Sequence, residues 1–183
     1  MSVFSNRSTD PPQERAAYAT AVLTLLGDRD PFAVLGATAA SLARALEGLS
    51  AAQISAPEAA GQWSIAQVLQ HYADSDVVWG WRLRLILSHD RPPITGYDQD
   101  LWAERLHYDD ADAHQALELF RVMRAANLRL LARATPADLA RAGVHAERGE
   151  ESVGYLCRLY AGHDLLHLNQ IARITASLMP AQS

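Results

Sequence analysis

The chain has 183 residues, 49% apolar and 20% charged, with a formal net charge of -5. That is enough apolar length for one domain with its own core, and it excludes a disordered chain. The acidic balance argues against a nucleic-acid partner, and with all 16 basic residues arginine and a single cysteine, Cys157, lysine Schiff-base, pyridoxal-phosphate and Walker-loop chemistry, disulfides, multi-cysteine zinc sites and iron–sulfur clusters are excluded too.

The opening MSVFSNRSTDPPQ is polar and proline-containing, so residues 1–11 read as a flexible segment and residues 12–183 as the domain. No apolar signal stretch precedes it, and the uncharged run Ala16 to Gly27 is little more than half of the roughly 20 residues a membrane span needs. A cytoplasmic protein without a membrane partner is the expectation. The first helical pattern runs from about Pro12 to Leu49, broken at Gly27-Asp28-Arg29-Asp30-Pro31, where Asp30 caps a new helix that Pro31 opens. Ser50 to Gln62 reads as a loop. Ser64 and Gln67 have capping-box form and open the second helix, which runs to about Ser88. Asp90 to Tyr108, with Pro92, Pro93 and Gly96, is a long crossover. The third helix covers roughly Asp110 to Ala134, ahead of Pro136, and the fourth runs from about Glu150 to Leu178 after a loop over Ala140 to Gly149. No strand pattern stands out. The expected fold is all-α, a four-helix bundle with a long crossover.

The histidines carry the chemistry. In the fourth helix the inward seam Val153, Leu156, Tyr160, Ile174 includes His163 and His167, whose i, i+4 spacing turns both imidazoles to one side, within reach of one cation. Two core histidines bonded to their neighbours would give the same pattern. His71, in the stripe of Val68, Val78 and Leu85 on the second helix, adds a third nitrogen. Three imidazoles leave a coordination position open, as catalytic zinc sites do. Ligand imidazoles need a partner on the other ring nitrogen; Asp74 and Asp164 are near enough in sequence, although solvated carboxylates explain them equally well. Arg124 and Asn127 lie on the apolar face of the third helix, either lining a pocket where Arg124 holds an anionic substrate group, or reaching solvent and bonding locally. His145 is a loop histidine with a possible proton-transfer role. His89, His107 and His114 read as surface residues, and Cys157 as a small buried hydrophobe.

The segments GQWSIAQVLQHYADSD and AGHDLLHLNQIARI resemble the DinB-like (YfiT-like) superfamily. The shared features are Trp63, Ser64, His71 and Asp74 in the second helix and His163, His167 and Gln170 in the fourth, with Trp102 in the crossover and His145 and Gly149 in the last loop. The likeness covers about Pro31 to Leu178. It implies an up-down-down-up bundle whose His71, His163 and His167 bind a divalent metal, zinc or nickel. It also implies chemistry of the kind found in characterised relatives, among them bacillithiol- or mycothiol-dependent S-transferases and a mycothiol-dependent maleylpyruvate isomerase. Such a site activates a low-molecular-weight thiol or a water. A non-catalytic metal-binding bundle or a stress-response interaction module is the rival reading. A di-iron carboxylate bundle fails, because the only Glu-x-x-His pair, Glu104 and His107, lies in the crossover. A serine hydrolase lacks its G-x-S-x-G. Trp79 and Trp81 cannot both face one core, so one of them is expected in a homodimer interface.

Overall fold

The breaks between helices fall where the sequence supplies caps. The Asp30 carboxylate accepts from the Phe32 N–H at 3.0 Å, ahead of Pro31 in the first turn. Ser64 and Gln67 close a reciprocal capping box, with Gln67 accepting from the Ser64 N–H at 2.8 Å. Asp112 accepts from the N–H groups of His114 and Gln115 at the start of the third long pattern. The computed structural model describes residues 12–146 and 148–178. The expectation for residues 1–11 therefore lies outside the described residues.

The helices are α1 (Pro12–Leu26), α2 (Pro31–Ala45), α3 (Ala51–Ser55), α4 (Ile65–Ser88), α5 (Gln99–Arg105), α6 (Ala113–Leu131), α7 (Pro136–Ala140) and α8 (Val153–Leu178). Helices α2, α4, α6 and α8 form the bundle. Contacts between α4 and α6 advance together along both helices, Tyr72 on Phe120, Asp76 on Arg124 and Gly80 on Asn127, so the two run parallel. Those between α4 and α8 run in opposite senses, His71 on His167 and Trp79 on Tyr160. Leu35 packs in the cluster of Leu156 and Cys157, and Leu42 and Leu46 in that of Ile171 and Ile174, so α2 is parallel to α8. The order is up-down-down-up. Two parallel neighbours cannot be joined by a tight turn, which is why a long crossover separates α4 from α6.

Two apolar clusters fill the interior. One gathers Leu42, Trp63, Leu69, Tyr72, Phe120 and Ile174; the other gathers Leu35, Trp79, Leu83, Leu156 and Cys157. A band of buried polar side chains, including His71, Asp76, Arg124, Asp164 and His167, occupies the helix levels between them. Helix α1 lies along α8, and at Gly162 the two approach so closely that a Cβ there would fall 2.1 Å from the Val22 carbonyl oxygen. Only glycine permits that contact.

The chain departs from the all-helical expectation in its connections. The expected loop over residues 50–62 contains α3, and the crossover contains α5 and a 3-10 turn at Tyr108–Asp110. Three short strands were not anticipated: β1 (Pro93–Ile94) pairs parallel with β2 (Ala142–His145), which pairs antiparallel with β3 (Gly149–Ser152). Strands of two to four residues are too short for alternation to be legible. The hairpin closes at Gly149, whose φ of 80° lies in the left-handed region. The sheet ties the crossover to the connection before α8, which consequently starts at Val153 rather than Glu150. No described helix is long and apolar enough to cross a membrane.

Candidate metal centre

Helix α4 supplies His71, and adjacent turns of α8 supply His163 and His167. One nitrogen from each imidazole lies within 4.8 Å of the others, with the Nε2 atoms of His71 and His163 at 3.0 Å. Donors of a tetrahedral zinc site, with bonds of about 2.0–2.1 Å, stand about 3.3 Å apart. The cluster is thus close to ligating geometry. Burial pushes the imidazoles of His71 and His163 well below their ordinary pKa, the neighbouring histidines add to the shift, and burial takes His167 down to about 4. All three are neutral at pH 7, the form that ligates. The donor set fits one divalent cation.

The partners of these rings are not the carboxylates expected. Gln170, one turn beyond His167, accepts from its Nδ1–H at 2.7 Å, which leaves Nε2 free to face the cluster. The Nδ1 atoms of His71 and His163 are buried without a hydrogen-bond partner. Asp74 accepts instead from the Tyr108 hydroxyl at 2.5 Å. Tyr108 in turn packs on Trp63, and the Trp63 ring lies 5.2 Å from that of His71. Asp164 is fully buried, but it faces Arg124 rather than an imidazole. The guanidinium donates to both of its carboxylate oxygens, at 2.5 and 3.1 Å, and from Nε to Asp76 at 3.0 Å. The Thr38 hydroxyl also donates to Asp164, at 2.7 Å. Arg124 is therefore an internal tie among α2, α4, α6 and α8, and not a residue of the cavity wall. Burial works against its charge, but Asp164 and Asp76 outweigh it and hold the guanidinium protonated. Asn127 belongs to the same network, donating to the Asp76 carboxylate at 3.2 Å and accepting from Arg84 at 2.9 Å. His145 is buried in β2 and does not line the cavity either.

A cavity of about 80 Å³ opens beside the cluster, with His71 and His163 on one wall and Tyr18, Ser75, Tyr97 and Tyr160 around it. Ser75 Oγ lies 3.4 Å from His71 Nε2 and 2.9 Å from the Tyr97 hydroxyl. Tyr97 comes from the crossover, steadied by Trp102 at 4.7 Å between ring centres. Burial raises the hydroxyl pKa of Tyr18, Tyr97 and Tyr160, so each remains a proton donor. Sequence reasoning placed Tyr160 on the inward seam but missed Tyr18, Tyr97, Ser75, Asp76 and Thr38. Ser75 was recoverable, since it follows His71 by one turn; Tyr97 was not, because an irregular connection carries no face. Cys157 is buried in the apolar cluster below, its thiol pushed up to about 12 by burial.

Residues 35–171 match the model of the DinB superfamily. A protein of Oceanobacillus iheyensis is 32% identical over 114 residues, 62% of this chain and 66% of its own. YfiT of Bacillus subtilis is 28% identical over 144 residues, 76% of this chain and 81% of its own. The names of both propose a metal-dependent hydrolase. The solved structure of Bacillus subtilis YfiT, described as having an unusual four-helix bundle topology, superimposes with a TM-score of 0.73 at 23% identity, covering 94% of this chain and 92% of that one. A second four-helix bundle protein, TT2238, gives a TM-score of 0.53 at 23% identity over 76% of this chain and 95% of its own.

Proposed function

Since the chain belongs to the DinB superfamily, we propose that it is a metal-dependent enzyme whose His71, His163 and His167 hold one divalent cation, zinc or nickel. In this reading it works on a small molecule, as a hydrolase or as a low-molecular-weight-thiol S-transferase. The observation that carries the reading is the convergence of three neutral, inward-facing imidazole nitrogens within 4.8 Å of one another, with His71 and His163 on the wall of a cavity. When bound by three protein ligands, such a cation lowers the pKa of a water or a thiol enough to make it a nucleophile at neutral pH. The relatives named for metal-dependent hydrolysis support the same chemistry.

The remaining tasks fall to the chain itself. Gln170 fixes the His167 tautomer. The Arg124–Asp164 pair and the Tyr72 hydroxyl, which donates to the Asp164 carbonyl, fix the turn of α8 that carries His163. The Ser75 and Tyr97 hydroxyls orient a polar group of the substrate beside His71, and the apolar walls contributed by α1 and α8 exclude bulk water.

Metal content per chain, measured for the wild type and His163→Ala, tests the site, and turnover of zinc- or nickel-loaded protein tests the reaction. Loss of metal in the variant and thiol-dependent consumption of a generic electrophile identify a transferase, whereas thiol-independent ester or amide cleavage identifies a hydrolase. Full metal retention in His163→Ala overturns the site, and metal binding without turnover on any of these substrates overturns the enzyme reading in favour of a binding bundle. The same proposal includes a cytoplasmic homodimer. Trp79 is buried against Tyr160, whereas Trp81 is 62% exposed near Val77 on the outer face of α4. Light scattering at twice the 20.0 kDa chain mass supports the dimer, and a monomer at micromolar concentration refutes it.

A further inference from the structure

Among the described residues, Arg82 is the one guanidinium on the cavity wall that no carboxylate neutralises. The other arginine there, Arg148, is held by Glu151 at 2.6 and 3.1 Å. Arg82 is only 6% exposed, yet among the described residues it makes a single hydrogen bond, from Nη2 to the Thr95 carbonyl at 2.8 Å. Its Nε has no partner. Gln99, 5% exposed and on the same wall, likewise has an amide nitrogen without a partner. Buried charges and amides left unsatisfied are costly, and folds retain them where something else completes them. Arg82 follows His71 by eleven residues, about three turns of helix, so both share one face of α4 with Ser75 between them. Side chains on a helix lean toward its N-terminus, which tilts the Arg82 side chain back toward the imidazoles.

We infer that Arg82 and Gln99 form an anion-binding subsite that anchors the carboxylate of the substrate while its reactive end lies at His71 and His163. The inference rests on the proposed metal-dependent activity and specifies its substrate class: a small carboxylate-bearing molecule, short enough to fit a cavity of about 80 Å³. Charge favours a carboxylate over phosphate. One unpaired guanidinium balances one negative charge, and the planar fork of arginine matches a two-oxygen acceptor. Gln99 adds a neutral donor, which suits the same monoanion.

Calorimetric titration of zinc-loaded protein with acetate, propionate and inorganic phosphate tests this. Acetate and propionate saturate the wild type, and Arg82→Gln weakens them about tenfold or more, the loss expected for a charge-assisted bond, while zinc content is unchanged. Arg82→Lys, which keeps the charge, recovers part of the affinity and controls for misfolding. His163→Ala, stripped of metal, still binds the carboxylates if Arg82 is the anchor; this separates a failed metal centre from a failed subsite. Equal carboxylate affinity in wild type and Arg82→Gln, binding lost only in His163→Ala, or a preference for phosphate would each overturn the assignment.

Discussion

Replacing Arg124 with methionine removes the cation from the centre of the polar band. Arg124, Asp76 and Asp164 are 2%, 1% and 0% exposed, so two carboxylates are left facing each other with no solvent to compensate them. Breaking a buried pair by deleting one partner costs about 3–5 kcal/mol. At roughly 2–4 °C per kcal/mol for a chain of this size, the melting midpoint falls by about 6–20 °C. Arg121 provides the contrast: its contact with Glu118 is similarly short at 2.6 Å, but both side chains are 59% exposed, and Arg121→Met leaves the midpoint close to that of the wild type. Burial, not distance, separates them. The penalty also depends on pH. Burial already raises the Asp76 carboxyl to about 6, with Arg124 opposing the rise. Without Arg124 the carboxyl rises further, and the folded variant then retains protons that the unfolded chain releases above about pH 4. Stability of the variant therefore falls as pH increases, and its deficit against wild type is larger at pH 8 than at pH 5. Thermal melts of both variants at the two pH values measure this. A midpoint for Arg124→Met within 2 °C of Arg121→Met, or a deficit that shrinks as pH rises, would refute the reasoning.

Burial holds the three clustered imidazoles below their ordinary pKa, at about 4 for His167. As pH drops from about 6.5 toward 4 the unfolded chain takes up protons that the native rings refuse, so this stabilisation is complete at neutral pH and lost on acidification. Melts with and without chelator at pH 7.5 and pH 5 check both this and metal linkage: the native rings are still neutral at pH 5, so chelator lowers the midpoint at both pH values while the midpoints at pH 5 lie below those at pH 7.5, and four identical midpoints count against the triad. Gln170→Ala frees the His167 tautomer and lowers zinc affinity about 10–100-fold in a competition titration; unchanged affinity removes Gln170 from the site. Gly162→Ala drives a methyl into the Val22 carbonyl and costs about 1–3 kcal/mol in a denaturant titration, whereas a wild-type midpoint would mean that α1 moves freely.

The bundle and the clustering of the three histidines were legible because both rest on helical periodicity. The caps at Asp30 and Ser64 and the i, i+4 pair His163 and His167 are local patterns, and helices carry local patterns faithfully into space. The partners of the site were less legible, because carboxylates near a histidine in sequence point wherever the helix turns them. Asp164 follows His163 directly and is rotated about 100° away from it, toward α2 and α6, so it meets Thr38 and Arg124. Asp74 turns to Tyr108 for the same reason. Gln170, three residues after His167, stays on the ring's side. Tyr97 and Gln99 come from the crossover and the start of α5, and no periodic signal in the sequence assigns them a direction.

His71 and His163 are 92 positions apart, and the cavity they share is closed by Tyr18 from one end of the chain and Tyr97 from the middle. Contacts of such sequence separation form only after the intervening loops have been closed, and they slow folding more than local contacts do. The middle turns of α8, which carry His163 and His167, must therefore dock against α4 before the three nitrogens come within reach of one ion. A zinc finger gathers its ligands from a short stretch and folds around its metal. At the proposed site the order is reversed, and an ion that enters the completed bundle would stabilise it by mass action on a structure already assembled.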